Sequence, residues 1–458
     1  MNLKLSLEAN LNYCCKIVKL EEIKRVPDAD KLVYTTIDGR NLIISDAYKN
    51  GDLCVYFPVG CKINNELLSF LNVFRHKELN ADKEKTGFFE DNARVKIVKL
   101  RGMFSEGFII QLADLLRFVP QKSEENEPFT EEQLGVKFDT INGVKIVEKY
   151  VIRQRTSGAS LGRTRAKTSL IEYIVNDQFK FHAKITKLGE VIYKLQPEQH
   201  INLSVKLHGT SAVSAYVLCK RRLNLWERLL KKIGVKIQET EYQYVCSSRT
   251  VIKTIGDDKQ KNISFYDFDI WTFIHNKIKD RLFRGMTFYY EIVGYLPSGA
   301  MIQKDYDYGY ESPENGEFAL GKNVGAFIYR ITYTDSQGNV MEYPMTFVEE
   351  FCKNNNLSPV PIIFDGKVKE LPHNKYVGAT DSNTEDYATA LFDLIKNDKS
   401  MFMEEDCPMC THKVPFEGLV VRFEGRNYYD AYKLKCQRFL KREDELLDKG
   451  ESNVEDEQ

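Results

Sequence analysis

One lysine, set between two strand-like segments, constrains this chain more than any other feature. Residues 201–205 alternate apolar and polar side chains as a strand does, and residues 212–217 resume that extended character. Between them lie Lys206 and, three residues later, Gly209, which can adopt backbone conformations closed to other residues. The pattern predicts a strand, a tight turn and a second strand, with Lys206 projecting from the edge.

Lys206 is predicted to be a nucleophile. An amine attacks a phosphorus or carbonyl centre only when it is unprotonated, which requires desolvation or neighbouring positive charge. Lys433 and Lys435 supply such charge, because they lie two residues apart on a predicted strand and so share one face. The alternative for any one of these lysines is a solvated surface charge.

The segment around Lys206 is the first of five that follow one another in a fixed order. They are 206–210 (Lys-Leu-His-Gly-Thr), 247–249 (Ser-Ser-Arg), 288–291 (Phe-Tyr-Tyr-Glu), 416–422 (Phe-Glu-Gly-Leu-Val-Val-Arg) and 432–435 (Tyr-Lys-Leu-Lys). In type and order they resemble the nucleotidyl-lysine motif and the four later motifs of the RNA ligases in the covalent nucleotidyltransferase superfamily. The resemblance implies a nucleotidyltransferase domain, with an ATP-grasp-like adenylation fold of antiparallel sheets and flanking helices.

A separate module precedes these segments. Short apolar runs punctuated by turn residues predict a small β-barrel; they are 13–20, 31–37, 41–45, 53–57, 94–100 and 108–111. Residues 26–30, 51–57, 99–102 and 105–107 resemble the N-terminal OB domain of Deinococcus-type RNA ligases. The alternative is an unrelated barrel that only stabilises the chain. The expected fold class is α+β, with an N-terminal OB-like β-barrel followed by the nucleotidyltransferase domain.

The length of 458 residues predicts more than one domain. We expect an OB-like RNA-binding domain at 1–150, a basic linker region at 151–180, the nucleotidyltransferase domain at 181–440 and a disordered tail at 441–458. The tail carries eight negative side chains against three positive ones. DNA ligases and capping guanylyltransferases carry a second OB domain after the fifth motif, so its absence here favours an RNA ligase.

Composition favours a cytoplasmic protein. No apolar run approaches the roughly 20 residues that span a bilayer, and the N-terminus lacks the apolar core of a signal peptide. The ten cysteines have no regular spacing and are expected to be free thiols. Cys407 and Cys410 have the spacing of half a zinc site, but no second pair follows them, so zinc binding stays open.

Two basic segments are candidates for contact with RNA, because a net charge of −1 leaves that role to local patches. The first, at 148–167, holds six positive side chains and one negative; its candidates are Arg153, Arg155, Arg163, Arg165 and Lys167. The second, at 220–236, holds seven positive and one negative, with apolar residues at helical spacing that we expect to pack on the domain. The alternative for both is a solvated charge run.

Two carboxylates lie where chemistry could use them. Glu291 interrupts an apolar run and needs a partner, which could be a ribose hydroxyl, a metal-bound water or a structural cation. Glu417 precedes Gly418 and an apolar strand, and oxygen ligands at such a strand mouth suit Mg²⁺ or Mn²⁺.

The resemblance implies further roles. Lys206, Lys433 and Lys435 would be catalytic, and Glu417 and Glu291 would hold the metal. Tyr329 aligns with the aromatic residue that stacks on adenine, with Phe327 as the competing choice. The nucleotide-binding set would be Val205, Lys206, Arg249, Glu291, Tyr329, Glu417, Lys433 and Lys435.

The implied function is an ATP-dependent RNA ligase that joins RNA 3′-hydroxyl and 5′-phosphate ends through lysyl-AMP and RNA-adenylate. ATP and Mg²⁺ or Mn²⁺ are the expected cofactors, and RNA ends in a nicked duplex the expected partner of a monomeric enzyme engaged in RNA repair. The N-terminal domain would align the RNA ends and contribute little to the ATP chemistry. The alternatives are a capping-type guanylyltransferase, disfavoured by His208 where capping enzymes generally carry aspartate, and a non-catalytic RNA-end binding protein on the same fold.

Overall fold

The computed structural model describes residues 2–119, 129–152, 170–259, 266–314, 316–372 and 384–451, without the side chains of residues 259 and 384–386. The candidate linker residues Arg153, Arg155, Arg163, Arg165 and Lys167 lie outside the described residues. All ten cysteines are described and are free thiols. None of the described helices is both long enough and apolar enough to cross a bilayer.

The N-terminal part is built from short strands and two helices. Its strands are β1 (Leu3–Lys4), β2 (Cys15–Lys19), β3 (Lys24–Arg25), β4 (Leu32–Ile37), β5 (Arg40–Ser45), β6 (Leu53–Phe57), β7 (Cys61–Ile63), β8 (Ile97–Leu100), β9 (Met103–Glu106), β10 (Phe108–Gln111), β11 (Lys137–Phe138), β12 (Thr140–Ile141), β13 (Val144–Lys145) and β14 (Val147–Lys149). Its helices are α1 (Asn65–Leu71) and α2 (Leu112–Phe118).

The predicted apolar runs form the strands of this part. Strand β5 alternates buried and less buried side chains, as a strand with one face on a core does. It pairs with β4 across the turn at Asp38 and Gly39, both with positive φ. A second sheet has the order β10-β6-β2-β11 and covers a core that includes Ile17, Val55 and Phe57.

The C-terminal part consists of two larger sheets with helices packed on them. Its strands are β15 (Thr186–Lys187), β16 (His200–Val205), β17 (Thr210–Lys220), β18 (Thr240–Ser248), β19 (Ile252–Ile255), β20 (Asp258–Lys259), β21 (Met286–Gly294), β22 (Val324–Thr334), β23 (Val340–Glu342), β24 (Ser358–Pro359), β25 (Ile362–Lys367), β26 (Gly418–Phe423) and β27 (Ala431–Lys435). One sheet has the order β15-β27-β26-β16-β25, and the other runs β20-β19-β18-β17-β21-β22-β23 with β24 beside β22.

Most neighbouring strands in these sheets are antiparallel; β15–β27 and β22–β24 are parallel. The helices are α3 (Leu225–Lys232), α4 (Ile270–Ile278), α5 (Met345–Asn354), α6 (Thr384–Asn397) and α7 (Gln437–Asp448). Shorter 3-10 helices lie at Lys77–Leu79, Glu131–Gln133, Leu170–Tyr173, Leu188–Lys194, Lys279–Arg281, Val368–Glu370 and Lys399–Met401. The architecture is α+β, as the sequence predicts.

Two predicted boundaries are wrong. Leu170 and Ile174 pack with Ala215 and Val217 in a core of the C-terminal part, so the end of the predicted linker at 151–180 belongs to that part. The predicted disordered tail begins inside helix α7, which continues to Asp448. Local charge suggested disorder, but Asp444 is buried, because it pairs with a cation far away in the sequence.

Helix α7 links the two parts of the chain. Arg94 of the N-terminal part lies 3.0 Å from Asp444 and 2.6 Å from Asp448, and Lys96 lies 2.9 Å from Asp448. Nearby, Gln437 donates a 2.5 Å hydrogen bond to Glu106. The last helix therefore fastens the C-terminal part to the OB-like part.

The prediction that the apolar side of the 220–236 segment packs on the domain is also wrong. This side of α3 faces water, with Trp226 75% and Leu225 82% exposed. No residue of α3 is buried.

Candidate active site

Lys206 lies directly after β16, in the turn that leads into β17. Its backbone N–H donates a 2.9 Å hydrogen bond to Gly418 O on the adjacent strand β26. Gly209 does not use the backbone freedom that glycine offers, since its φ is not positive. Glycine is required there for another reason: a Cβ atom would lie 2.2 Å from Ile292 O.

Three side chains from elsewhere hold this turn in place. The Tyr308 hydroxyl accepts a 2.6 Å hydrogen bond from His208 N–H, and Gln303 Nε2 donates to Gly209 O at 2.8 Å. Trp271 Nε1 donates to Ser211 O at 3.2 Å. These residues lie 60 to 100 positions away in the sequence, and no local pattern marks them.

Glu417 is a carboxylate in direct contact with Lys206. Lys206 Nζ lies 2.7 Å from Glu417 Oε1, and Lys435 Nζ lies 3.3 Å from the same oxygen. The carboxylate is buried and precedes Gly418, where a Cβ atom would lie 2.0 Å from Leu434 O. The residue spacing predicts only cations beside Lys206, whereas the structure adds an anion 2.7 Å away.

His208 forms the inner side of this cluster. Its ring packs edge-on against Tyr306 and Phe439, with centroids 4.9 and 5.0 Å away. His208 Nδ1 lies 3.7 Å from Glu417 Oε2. The imidazole is therefore fixed beside the carboxylate that contacts Lys206.

Lys433 and Lys435 both point from β27 into the cleft that contains Lys206. Lys435 is further held by Glu443 of α7 at 3.1 Å and lies above the Phe439 ring at 4.7 Å. Strand β27 is thus the edge that presents two cations to the cleft, as the two-residue spacing predicts.

The other candidate residues line the same cleft, whose walls include Val205, Lys206, Arg249, Glu291, Tyr329, Lys433 and Lys435. Glu291 accepts a 3.0 Å hydrogen bond from Ser211 Oγ. The hydroxyl of Tyr329 lies 2.5 Å from His182 Nδ1, and burial raises its pKa well above the usual value. Phe327 and Tyr329 both pack against the core, but Phe327 is not among the residues that line this cleft.

The N-terminal part forms a wall of this cleft. Tyr13, Arg40, Lys149 and Tyr150 line it together with the residues around Lys206. This placement conflicts with the expectation that the N-terminal domain contributes little to chemistry at Lys206. Sequence reasoning missed these residues, because they reach the cleft through the packing of the two parts.

Lys187 is a further cation of the cleft that sequence reasoning missed. It lies on β15, where it pairs in register with Lys433. Burial, and then the charge of Arg40, lower the pKa of Lys187 to about 8. Its signal in the sequence is slight, since β15 has only two residues.

The carboxylates of the cleft are candidate metal ligands. Within the described residues no group of three or more His, Cys, Asp or Glu side chains could hold a metal ion, at Cys407 and Cys410 or elsewhere. Glu417 does fit a magnesium site of another kind, in which one or two carboxylates bind Mg²⁺ and substrate phosphates and water complete its coordination shell. A divalent cation at Glu417 would thus depend on a bound polyphosphate.

Comparison with known proteins identifies the fold. A family model described as an OB-fold domain matches residues 14–112. A structure of a Naegleria gruberi RNA ligase variant with ATP and Mn has a TM-score of 0.54 at 13% sequence identity, covering 94% of this chain and 99% of that chain. The chain has an RNA ligase fold. A variant of the same ligase with AMP and Mn gives a TM-score of 0.53 at 14% identity, with 94% and 98% covered.

A third structure of the Naegleria gruberi enzyme, an apo variant, has a TM-score of 0.53 at 14% identity and covers 95% of this chain and 100% of that chain. The RNA ligase fold therefore extends over both parts of the molecule, and the predicted fold class with an N-terminal OB domain is confirmed. No curated protein sequence matches the chain.

Proposed function

We propose that the chain is an ATP-dependent RNA ligase with Lys206 as the nucleotide-accepting residue. One observation carries the proposal: Lys206, Arg249, Glu291, Tyr329 and Lys433, which are dispersed over more than 200 positions of the sequence, line one cleft. The cleft belongs to an RNA ligase fold. A binding protein without catalysis would not need an amine, a buried carboxylate and two further ammonium groups within reach of one another.

In the first step Lys206 Nζ attacks the α-phosphorus of ATP. The N–P bond forms, the bond from the α-phosphorus to its bridging oxygen breaks, and pyrophosphate leaves while the amine loses its protons. Lys433 and Lys435 stabilise the negative charge that grows on the phosphate oxygens. The product is a lysyl-AMP phosphoramidate.

Glu417 has a position suited to control the protonation of Lys206. Its Oε1 lies 2.7 Å from Lys206 Nζ, within reach of the proton that Lys206 must lose. A divalent cation held at Glu417 with the phosphate oxygens would supply charge neutralisation. Lys206 attacks only after it has lost a proton and its contact with Glu417.

The nucleoside is held on the opposite wall. Tyr329 offers its ring to the adenine, and its hydroxyl is fixed by His182. Glu291, oriented by Ser211, is placed to accept a hydrogen bond from a ribose hydroxyl. Arg249 and Val205 complete the nucleotide contacts.

Two further transfers complete the reaction. The RNA 5′-phosphate attacks the phosphorus of lysyl-AMP and releases Lys206, and an RNA 3′-hydroxyl then attacks the 5′-phosphate and releases AMP. A nicked duplex fits these steps, because a domain beside the nucleotidyl site can clamp both sides of a join. We place the enzyme in the cytoplasm as a monomer that repairs RNA breaks.

The experiment that tests this function uses a duplex with one RNA nick bearing 3′-hydroxyl and 5′-phosphate ends, with ATP and MgCl₂. Sealing that requires ATP, with RNA-adenylate seen as a transient species, supports the proposal. Label transfer from GTP but not from ATP would indicate a guanylyltransferase. Nick binding without label transfer from either nucleotide would indicate a non-catalytic end-binding protein.

A further inference from the structure

Helix α3, in the connection between β17 and β18, exposes its apolar side to water. Leu225, Trp226 and Ile233, the residue after the helix, are 82%, 75% and 71% exposed. On a helical projection these three lie on one arc with Leu229 and Leu230, while Arg228, Lys231 and Lys232 lie on the opposite arc. Of the eight residues of α3, Glu227 alone is not classed as exposed. The helix thus exposes its apolar side as well as its polar side.

Ion pairs hold α3 in this orientation. Arg221 lies 2.7 Å from Glu227, and Lys231 lies 2.7 Å from Glu239. Asn224 caps the helix by accepting a hydrogen bond from the backbone of Glu227, whose side chain accepts one from the backbone of Asn224. These contacts attach the polar arc of α3 to the residues that flank the helix. The apolar arc is therefore available to a binding partner.

The charge around the apolar arc selects among possible occupants. Residues 220–236 carry seven positive side chains and one negative. A second copy of the same surface would bring these positive charges together, which disfavours self-association through α3. An RNA backbone would engage the cations, but it would leave Trp226, Leu229 and Ile233 in water. The occupant therefore needs both negative charge and an apolar layer.

We propose that α3 is a docking element for anionic lipid surfaces, with Trp226, Leu229 and Ile233 entering the boundary between headgroups and acyl chains. Arg228, Lys232 and Lys236 then lie at the level of the anionic headgroups. Tryptophan suits this boundary, because its ring is apolar while its N–H needs a polar partner. The inference does not depend on the proposed RNA ligase activity.

The position of α3 leaves the cleft accessible during docking. Strand β17 has eleven residues, so the far end of the strand lies roughly 33 Å from the turn that follows Lys206. Lipid docking through α3 is therefore expected to leave nucleotide chemistry at Lys206 unchanged.

The test uses the full chain and sedimentation with vesicles of phosphatidylcholine alone or of phosphatidylcholine mixed with phosphatidylserine. Binding to the anionic vesicles only, weakening as salt is raised, is the expected result. The double variant Trp226→Ser/Ile233→Ser should lower the partition coefficient by about a hundredfold, since each apolar side chain contributes to insertion. Tyr193→Ser, at a residue 65% exposed on the same part of the chain, is the matched control and should bind as the parent does.

A fluorescence measurement separates insertion from loose electrostatic adsorption. The chain has two tryptophans, and Trp271 is fully buried, so a shift to shorter wavelength on adding anionic vesicles reports Trp226. Three outcomes would overturn the proposal: equal binding to both vesicle types, equal binding by the double variant, or no vesicle binding at all. In the last case, loss of duplex RNA binding in Lys232→Glu/Lys236→Glu would assign the surface to RNA, and its retention would leave a protein partner.

Discussion

Lys206 Nζ and Glu417 Oε1 lie 2.7 Å apart, in a cleft where the Glu417 side chain is fully buried. Lys435 approaches the same oxygen at 3.3 Å, so one carboxylate neutralises two ammonium groups. This contact stabilises the resting cluster, and it must change before Lys206 can attack an electrophile. The predictions about the cleft follow from this relationship.

Replacing Glu417 is expected to damage both stability and chemistry. Glu417→Ala leaves two partly buried cations without their common partner, which should cost about 3 kcal/mol of unfolding free energy. Lysyl-AMP formation should also fall, because the variant lacks the carboxylate proposed to hold the divalent cation. Denaturant unfolding and adduct kinetics measure the two effects. Glu443→Gln, which removes a carboxylate 3.1 Å from Lys435, should be milder in both; equal behaviour of the two variants would refute the bridging role of Glu417.

The two lysines of β27 are expected to increase the rate of lysyl-AMP formation. Lys433→Ala and Lys435→Ala should each lower the rate of lysyl-AMP formation by roughly ten- to a thousandfold, the range for removing one preorganised charge-stabilising donor. Rapid-quench sampling with labelled ATP gives the rates. Lys441→Ala, on an exposed part of α7, is the control and should match the parent. Rates within a factor of two for both β27 variants would mean that these cations do not face the reacting phosphate.

Lys187 predicts how the stability of the protein depends on pH. Its folded-state pKa is lowered to about 8 from 10.5, so between these values the unfolded chain binds more protons than the folded one. The stability of the parent should therefore rise as pH increases from 8 to 10.5. Lys187→Met should lack this rise and be the more stable protein below pH 8. Parallel pH dependences of the melting temperature in parent and variant would contradict the assignment.

The wall contributed by the N-terminal part predicts an effect on the first chemical step. Tyr13→Ala/Lys149→Ala should slow lysyl-AMP formation by about tenfold or more, since both residues line the cleft that holds Lys206. Lys145→Ala, an exposed lysine near the end of the same domain, should have no effect. If the double variant forms lysyl-AMP normally and loses only nick sealing, the N-terminal domain acts on RNA alone.

The sequence predicts what local patterns determine. The strand–turn–strand around Lys206 and the shared face of Lys433 and Lys435 follow from residue spacing, and the OB-like barrel follows from short runs between turns. The contact of Lys206 with Glu417 could not be predicted in this way, because it joins residues 211 positions apart through the pairing of β16 with β26.

Charge patterns misled the sequence analysis where tertiary partners decide the outcome. The acidic composition after residue 440 predicts disorder. Arg94, which lies 350 residues before Asp444, pairs with it and so holds the acidic face of α7 against the N-terminal part. At α3 the apolar spacing correctly indicated a helix, but periodicity alone does not show which side of a helix faces the domain.

The central claim is that Lys206 accepts a nucleotide from ATP, and intact-mass spectrometry under denaturing conditions tests it most directly. After incubation with ATP and MgCl₂, the parent should gain the mass of one adenylyl group, and peptide mapping should place it on Lys206. Lys206→Ala should show no such gain while it still unfolds in one cooperative thermal transition, which shows that the variant is folded. An adduct that persists in Lys206→Ala, or that maps to another lysine in the parent, would contradict the account.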